Sequence, residues 1–537
     1  MEQAVAGSSA EVRPTARQWL GLIAIALGVA LIVVDTTIVN VIIPSIIEDL
    51  NTGSTQAQWI QESYAIVLAA LLLVAGRIAD IVGARRMFLT GVVVFGATSI
   101  LAGLAPGSDL LIMARFLQGA GAAMILPTSL SLLNANFTGK ARGQAFAIWG
   151  STIGAAAALG PLLGGWLAEH ASWRWAFGIN VPLAALILVG VLLCIERSQR
   201  RSGSLDVVGS VLSILGLGSL AFGLVEGRSY GWIVSVRPLD VGGFTWGGGL
   251  SPAPVALIVS ALALVGFVAW QVHLRRRGHA DKALMDLELF SLASFRNGNL
   301  ATMIIGVGEF GIVAVLPLWL QFTLGYSAVQ SGLALVPIAI GSFIASGASF
   351  GLADKNISPL NLVRIGLVFE IVGLAALGFL VSPENSWWIL ALILCLYGVG
   401  VGFATAQVTN VVLADVPERA SGQASGIQSA FRQLGSALGI AILTTVFFTT
   451  LSSQVTDRLT NDGVAAAQAQ QYSHTITDSA GAAIIGLKAD PQTAPIAEVG
   501  RVAMTEGIHW GALLAAGFLL LGLVATALIP APRPREE

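Results

Sequence analysis

Five charged side chains within long apolar stretches of the sequence are candidates for function: Asp35, Glu62, Arg115, Glu309 and Glu370. A charge at the centre of a bilayer costs roughly 2.5–3.5 kcal/mol even on the lenient insertion scale, so each needs a reason to be there. The chemistry they offer is proton transfer. A carboxylate that faces water or a guanidinium is ionised, and the same group, once desolvated, takes up a proton. A shift of ~2–3 pKa units is worth ~3–4 kcal/mol. That biases an equilibrium between two conformations by roughly two orders of magnitude.

Asp35 lies deep in its apolar stretch. Glu309 stands among glycines in Gly306-Val307-Gly308-Glu309-Phe310-Gly311, where a neighbouring helix or a small molecule can approach closely. Arg115 reads as the only basic residue inside a span, holding a carboxylate ionised in one state. Glu62, early in its stretch and near its outer end, is either solvated or an extra proton-carrying or cation-recognising group. Glu370 has no such neighbours and reads as a buried hydrogen-bonding group. Asn40, Gln61, Tyr64, Trp149, Trp319, Gln321 and Gln407 are the candidate lining residues for a binding site.

The elements that must position these groups follow from hydropathy. Of the 537 residues, 55% are hydrophobic and only 11% charged, where a soluble protein carries roughly 25% charged residues. The apolar stretches fall at 19–42, 60–76, 87–105, 110–133, 144–168, 175–195, 207–225, 253–273, 298–320, 329–352, 362–381, 387–413, 431–451 and 509–530. Each is about the length of a transmembrane helix, so the expectation is an all-α protein with fourteen spans. The first run is too long for the core of a cleaved signal peptide. With both termini in the cytoplasm, only Arg174, Arg228, Arg237, Arg458, Lys488 and Arg501 fall on the outer side. Apart from Arg115, the rest of the 28 lysines and arginines, Arg432 among them, fall inside, as the positive-inside rule requires.

Three loops have a character of their own. Gly76-Arg77-Ile78-Ala79-Asp80-Ile81-Val82-Gly83-Ala84-Arg85-Arg86 is a tight turn with glycines, one acid and a basic cluster. Asp80 there can sit at a helix N-terminus, or pair with a base, in one conformation and let go in another, so Gly76, Asp80, Gly83, Arg85 and Arg86 are candidate gating residues. Residues 269–297 read as a connector with an interfacial helix around Leu284–Phe290. Residues 452–508 form a polar, Ala/Gln-rich outer loop, either a partly ordered cap or disordered. In the fifth stretch, Gly150, Gly154, Gly160, Pro161, Gly164 and Gly165 make a close-packing, bent helix that is a hinge or a tight seal.

These segments together resemble a known family. The 76–86 loop is similar to the signature loop of the major facilitator superfamily, and Gly150–Gly165 resembles the antiporter motif of its drug exporters. Leu31–Pro44 resembles the first-span signature of the fourteen-span drug:proton antiporter branch, and Ala114-Arg115-Phe116-Leu117-Gln118-Gly119-Ala120-Gly121 the proton-transfer motif of the fourth span. Ile81 and Ala84 stand where family loops commonly carry bases. The resemblance implies a cytoplasmic tail at 1–18, a six-helix bundle at 19–196, two extra spans and a linker at 197–297, and a second bundle at 298–530. A short tail at 531–537 follows. It implies a proton-coupled antiporter of the cell membrane that exports amphipathic drugs or antibiotics by alternating access. Asp35, Glu62, Arg115 and Glu309 would be its coupling groups. A dedicated exporter of an endogenous metabolite, or a facilitator or sensor without coupling, is the alternative. The extra spans lack an ionisable residue at their centres, so a lipid-facing accessory role suffices for them.

Other classes fit poorly. Gly139-Lys140 lacks the glycine and hydroxyl of a phosphate-binding loop, the five histidines are scattered, and no selectivity-filter pattern is present. Cys194 and Cys395 suggest neither disulfide nor metal site. The expectation is a monomer that is not an enzyme, needs no cofactor or metal, and meets lipid, protons and a small molecule but no nucleic acid.

Overall fold

The computed structural model describes residues 14–52, 54–198, 203–241, 244–279, 282–354, 357–417 and 420–530. The tail at 531–537, most of the tail at 1–18, and Arg13, Arg200, Arg201, Lys355, Arg419, Arg533 and Arg535 of the charge pattern lie outside the described residues.

Apolar runs of this length have no water to satisfy their backbone in a bilayer, so they close their hydrogen bonds internally as helices. The first half contains α1 (Ala16–Leu50), α2 (Ser54–Val82), α3 (Ala84–Gly103), α4 (Ser108–Asn136), α5 (Gly139–His170), α6 (Arg174–Gly178) and α7 (Asn180–Cys194). An accessory hairpin follows, α8 (Val207–Tyr230) and α9 (Pro252–Arg276). The second half has α10 (Ala293–Phe322), α11 (Ala328–Asp354), α12 (Pro359–Leu380), α13 (Trp387–Val412), α14 (Ser421–Asn461), α15 (Ala466–Asp478), α16 (Ala483–Ala489) and α17 (Ala494–Ala525). Among the described residues, fourteen segments are long and apolar enough to cross a membrane, α6 and α7 together making one of them. Each overlaps one of the fourteen apolar stretches.

Helix starts are written locally. Thr15 and Gln18 form a capping box at α1, Asp206 accepts the Gly209 N–H at α8, and Ser251-Pro252 and Ser358-Pro359 open α9 and α12. Gly83, with φ 97°, turns α2 into α3 in one residue, a conformation that favours glycine.

Two cores result. One gathers α1–α5 and α7 around Phe88, Phe95, Phe146 and Trp149, and the other gathers α10–α14 and α17 around Trp319, Tyr397 and Phe447. The accessory hairpin lies over the seam between α2 and α14. Leu224 of α8 packs with Ala437 and Ala441 of α14, while α9 presents Ile258, Leu262 and Val265 outward.

One open alternative is decided here and one expectation is corrected. The outer loop is mostly helical: α14 runs ten residues past the expected span, α17 begins well before it, and α15 and α16 stand between them. Ile476, Ile484 and Ala497 are buried and continue the apolar core of the second bundle, so this is an ordered cap. The connector around Leu284–Phe290 forms a short 3₁₀ turn at Leu287–Ser291 capped by Asp286, not an interfacial α-helix. Leu284 and Leu289 are buried in protein, which removes the apolar face a membrane surface would need. Between α8 and α9 a two-stranded hairpin pairs Leu239–Val241 with Phe244–Trp246.

Candidate functional site

Asp35 and Arg115 form an ion pair inside the first bundle, with almost no exposure on either side. Gln118 and Asn180 each donate to Asp35 Oδ1 at 2.8 Å, and both also donate to Ser99 Oγ. Arg115 Nε donates to the Ile60 carbonyl at 3.0 Å, and its guanidinium stacks 4.4 Å from the Tyr64 ring centroid. Five helices, α1, α2, α3, α4 and α7, contribute to this network, so the carboxylate's charge is fully met. Tyr64, expected to line a binding site, is 1% exposed and serves as a floor for Arg115.

Glu309 sits elsewhere. It lines a cavity of about 90 Å³ between the two bundles, together with Gly150, Ile153 and Gly154 of α5 and Arg432 of α14. Thr405 donates to Glu309 Oε1 at 2.8 Å, and the Tyr397 hydroxyl donates to the Glu309 carbonyl at 3.1 Å. The Arg432 guanidinium lies 5.8 Å from the Trp149 ring and 5.6 Å from that of Phe310, a cation held over aromatic faces from both bundles. This corrects the sequence reading, which put Arg432 at the cytoplasmic end and made Arg115 the only basic residue within a span. Helix α14 begins ten residues earlier than its apolar stretch, so Arg432 is carried inward. Its carbonyl lies 3.4 Å from where a Cβ on Gly306 would stand, one turn from Glu309.

The glycine motif of α5 divides between two faces. Gly150 and Gly154 turn toward the second bundle, with Gly154 opposite Ser342 of α11. Gly160 and Gly164 turn toward α1, where a Cβ on Gly164 would meet the Ile38 carbonyl at 3.0 Å. Pro161 and Leu162 abut Gly332 of α11, where a Cβ would stand 2.8 Å from the Leu162 nitrogen. Gly165 is buried between these contacts. The bundles are thus closed against each other at the far end of the cavity.

They are closed at the near end too. Asp80 accepts the backbone N–H of Gly422 at 2.7 Å and of Gln423 at 2.8 Å, at the N-terminus of α14. Free N–H groups and the helix dipole make that terminus a natural anion site. Gly76 allows the approach, because a Cβ there would meet the Gly422 carbonyl at 2.5 Å. Ser131 with Ser421, Arg142 with Asn410, and Gln407 with the Gly143 carbonyl also cross the seam. Arg85 donates to the Leu192 carbonyl at 2.9 Å, and Arg86 is exposed.

The remaining expected residues are spread out. Trp319 is fully buried in its own bundle with its indole on Thr505, and so lies away from the cavity. Gln61 donates to Asn40, which is exposed, and Gln321 is half-buried at the end of α10. Glu370 is fully buried, and neither carboxylate oxygen has a hydrogen-bond partner among the described residues, contrary to its reading as a hydrogen-bonding group. Glu62 has a buried oxygen that accepts no donated hydrogen bond among the described residues, and it faces the buried Glu226 at the end of α8, which corrects the solvated reading of Glu62. Arg432 and Glu226 escaped the sequence reading because both lie at the margins of their apolar stretches.

The sequence profile of the Major Facilitator Superfamily matches residues 25–440. The multidrug efflux pump LfrA of Mycolicibacterium smegmatis is 33% identical over 533 residues, covering 98% of this chain and 99% of that protein. The puromycin resistance protein pur8 of Streptomyces alboniger is 33% identical over 442 residues, 81% of this chain and 82% of that one. Among solved structures, the human organic anion transporter MFSD10 superposes with a TM-score of 0.60 at 13% identity, over 95% of this chain and 99% of that one. The proton:xylose symporter XylE gives 0.57, also at 13%, over 96% and 97%. Both likenesses concern the fold.

Proposed function

Because the chain belongs to the major facilitator superfamily, and is therefore a multi-pass membrane transporter, we propose that it exports small amphipathic molecules in exchange for protons. One observation carries the proposal. An acid, Glu309, and a base, Arg432, share a closed cavity between the bundles with the two glycines of α5 that face across it. The full-length relatives named for multidrug efflux and for puromycin resistance support export as the direction. The arginine and lysine pattern supports both termini in the cytoplasm.

The mechanism follows from charge. With both bundle ends closed, Glu309 has Thr405 and the neighbouring Arg432 to stabilise its ionised form. Opening one end admits water and a proton to Glu309. Opening the other lets cargo compete for the same space, so proton and cargo occupy the cavity alternately. Asp80 at the start of α14 is the latch of the cytoplasmic end. Asp35 and Arg115 keep the first bundle rigid around the moving parts, and shift its charge balance if their pairing loosens.

The test is efflux of ethidium from proteoliposomes under an imposed pH gradient, comparing the wild type with Asp35→Asn and Glu309→Gln. Gradient-driven efflux by the wild type, lost at least tenfold in Glu309→Gln, is the expected result. Efflux indifferent to the gradient would sink the antiport reading. Full coupling in both variants would sink the assignment of the coupling acids.

A further inference from the structure

The chain that joins the two bundles touches both of them at the cytoplasmic end. On its way into the accessory hairpin, the Ser204 carbonyl accepts from Arg77 of α2 at 3.4 Å. Gly203 lies close by, where a Cβ would stand 3.4 Å from the side chain of Ile81. On the way out toward α10, the Asp286 N–H donates to Gln423 Oε1 of α14 at 2.9 Å. Gln423 is also the residue whose own N–H reaches Asp80 of α2 at 2.8 Å.

The incoming and outgoing ends are clasped to each other. Asp206, the cap of α8, accepts the Gly209 N–H at 2.8 Å and the Trp270 indole N–H at 2.9 Å on Oδ1. Its Oδ2 accepts from Gln271 Nε2 at 2.9 Å, so α9 is held where it ends. Gln271 Oε1 in turn accepts the Met285 N–H at 3.4 Å. Asp206, Gln271 and Gln423 are all buried. A buried polar network whose members are satisfied holds one arrangement and resists others.

The covalent link between the bundles runs out along α8 and back along α9. The clasp shortens it to a path of a few residues: Ser204 to Asp206, across to Gln271, then Met285 to Asp286 and Gln423. Leu284 and Leu289 are buried on either side of the last step and pin it down. We propose that Asp206 and Gln271 are positioning residues of the transport cycle. They close the accessory hairpin into a strap that holds Gln423 against Asp80, and α2 cannot part from α14 at the cytoplasmic end until the strap gives way. This rests on the alternating opening proposed above and adds to it the part played by the two extra spans.

The experiment uses the full-length protein in lipid nanodiscs, with dyes at Arg86→Cys and Asn361→Cys, the native cysteines replaced, and neither cargo nor pH gradient. Asp206→Asn sets an amide N–H against that of Gln271, and turning the glutamine round only moves the mismatch to Met285. The population open at the cytoplasmic end should rise by about tenfold or more. Gln271→Glu alone opposes two carboxylates and should do the same. Together, the two substitutions put an acceptor opposite each donor again, and the population should return to within about threefold of the wild type. Gln423→Ala, which keeps the N–H that Asp80 accepts, should raise it roughly 3- to 10-fold. Lower melting temperatures in the single variants with unchanged dye distances would overturn the proposal, since a clasp that merely stabilises the fold does that. So would an opening that the double variant fails to reverse. If the single variants do not fold, hydrogen exchange of the wild-type protein decides. Amides at 284–289 and 421–425 should then open together, and exchange at least about tenfold faster at 284–289 would overturn the strap. The same population shifts in a protein without gradient-driven efflux would count against antiport and still support the strap.

Discussion

Asp80 and Gly422 are joined across the two halves of the molecule: the carboxylate at the end of α2 accepts the first free N–H groups of α14, at 2.7 Å from Gly422 and 2.8 Å from Gln423. Hydrogen bonds to a charged group are each worth about 1.5–3 kcal/mol net. Asp80→Asn removes the charge and turns an amide N–H toward donors. The near end should then open more often, by roughly 10- to 100-fold in population. Single-molecule energy transfer between dyes at Arg86→Cys and Asn361→Cys, with the native cysteines replaced, checks this; an unchanged distance distribution would remove Asp80 as the latch.

The Asp35–Arg115 pair is buried and its hydrogen bonds are saturated. Breaking one partner strands the other without solvent, at a cost of about 3–5 kcal/mol. Arg115→Ala should therefore lower the thermal stability of the detergent-solubilised protein by several degrees. Asp35→Asn/Arg115→Gln, which leaves no charge, should recover much of it. Size-exclusion thermostability measurements make the comparison. A double variant less stable than Arg115→Ala would show that the charges themselves hold the bundle together.

Glu309 and Arg432 share a cavity, so their substitutions should not add. Glu309→Gln and Arg432→Gln should each reduce gradient-driven efflux at least tenfold, while the double variant falls little further. Arg432→Lys should retain more activity than Arg432→Gln, because it keeps the charge but not the guanidinium plane over Trp149 and Phe310. Multiplicative losses would mean that the two residues act in separate steps.

Gly332 seals the far end against Pro161 and Leu162. A valine there overpacks the contact by about 1–3 kcal/mol. The expected outcome is slowed efflux, with faster alkylation of a cysteine placed at Ile153 in the cavity wall. Alkylation as slow as in Ile153→Cys alone would show that Gly332 does not govern access.

The hydropathy pattern was enough to set fourteen spans, because each helix must satisfy its own backbone in lipid whatever its neighbours do. Gly83 was equally legible: a residue between two apolar runs that reverses the chain in one step is most readily a glycine. The acids Asp35 and Glu309 announced themselves by their cost in an apolar run. Their surroundings did not. That Asp35 finds Arg115, Gln118 and Asn180, while Glu309 finds Thr405 and Arg432, depends on how helices far apart in sequence rotate and pack. Arg432 sat at the edge of an apolar stretch and looked cytoplasmic until the extra turns of α14 carried it into the interior. Glu226 sat at the edge of an accessory span and looked unremarkable until α8 settled on α2 and buried it beside Glu62. Local sequence decides where a helix forms, since its hydrogen bonds are local. Which charge meets which is decided by close packing between helices, and that exists only in the folded molecule.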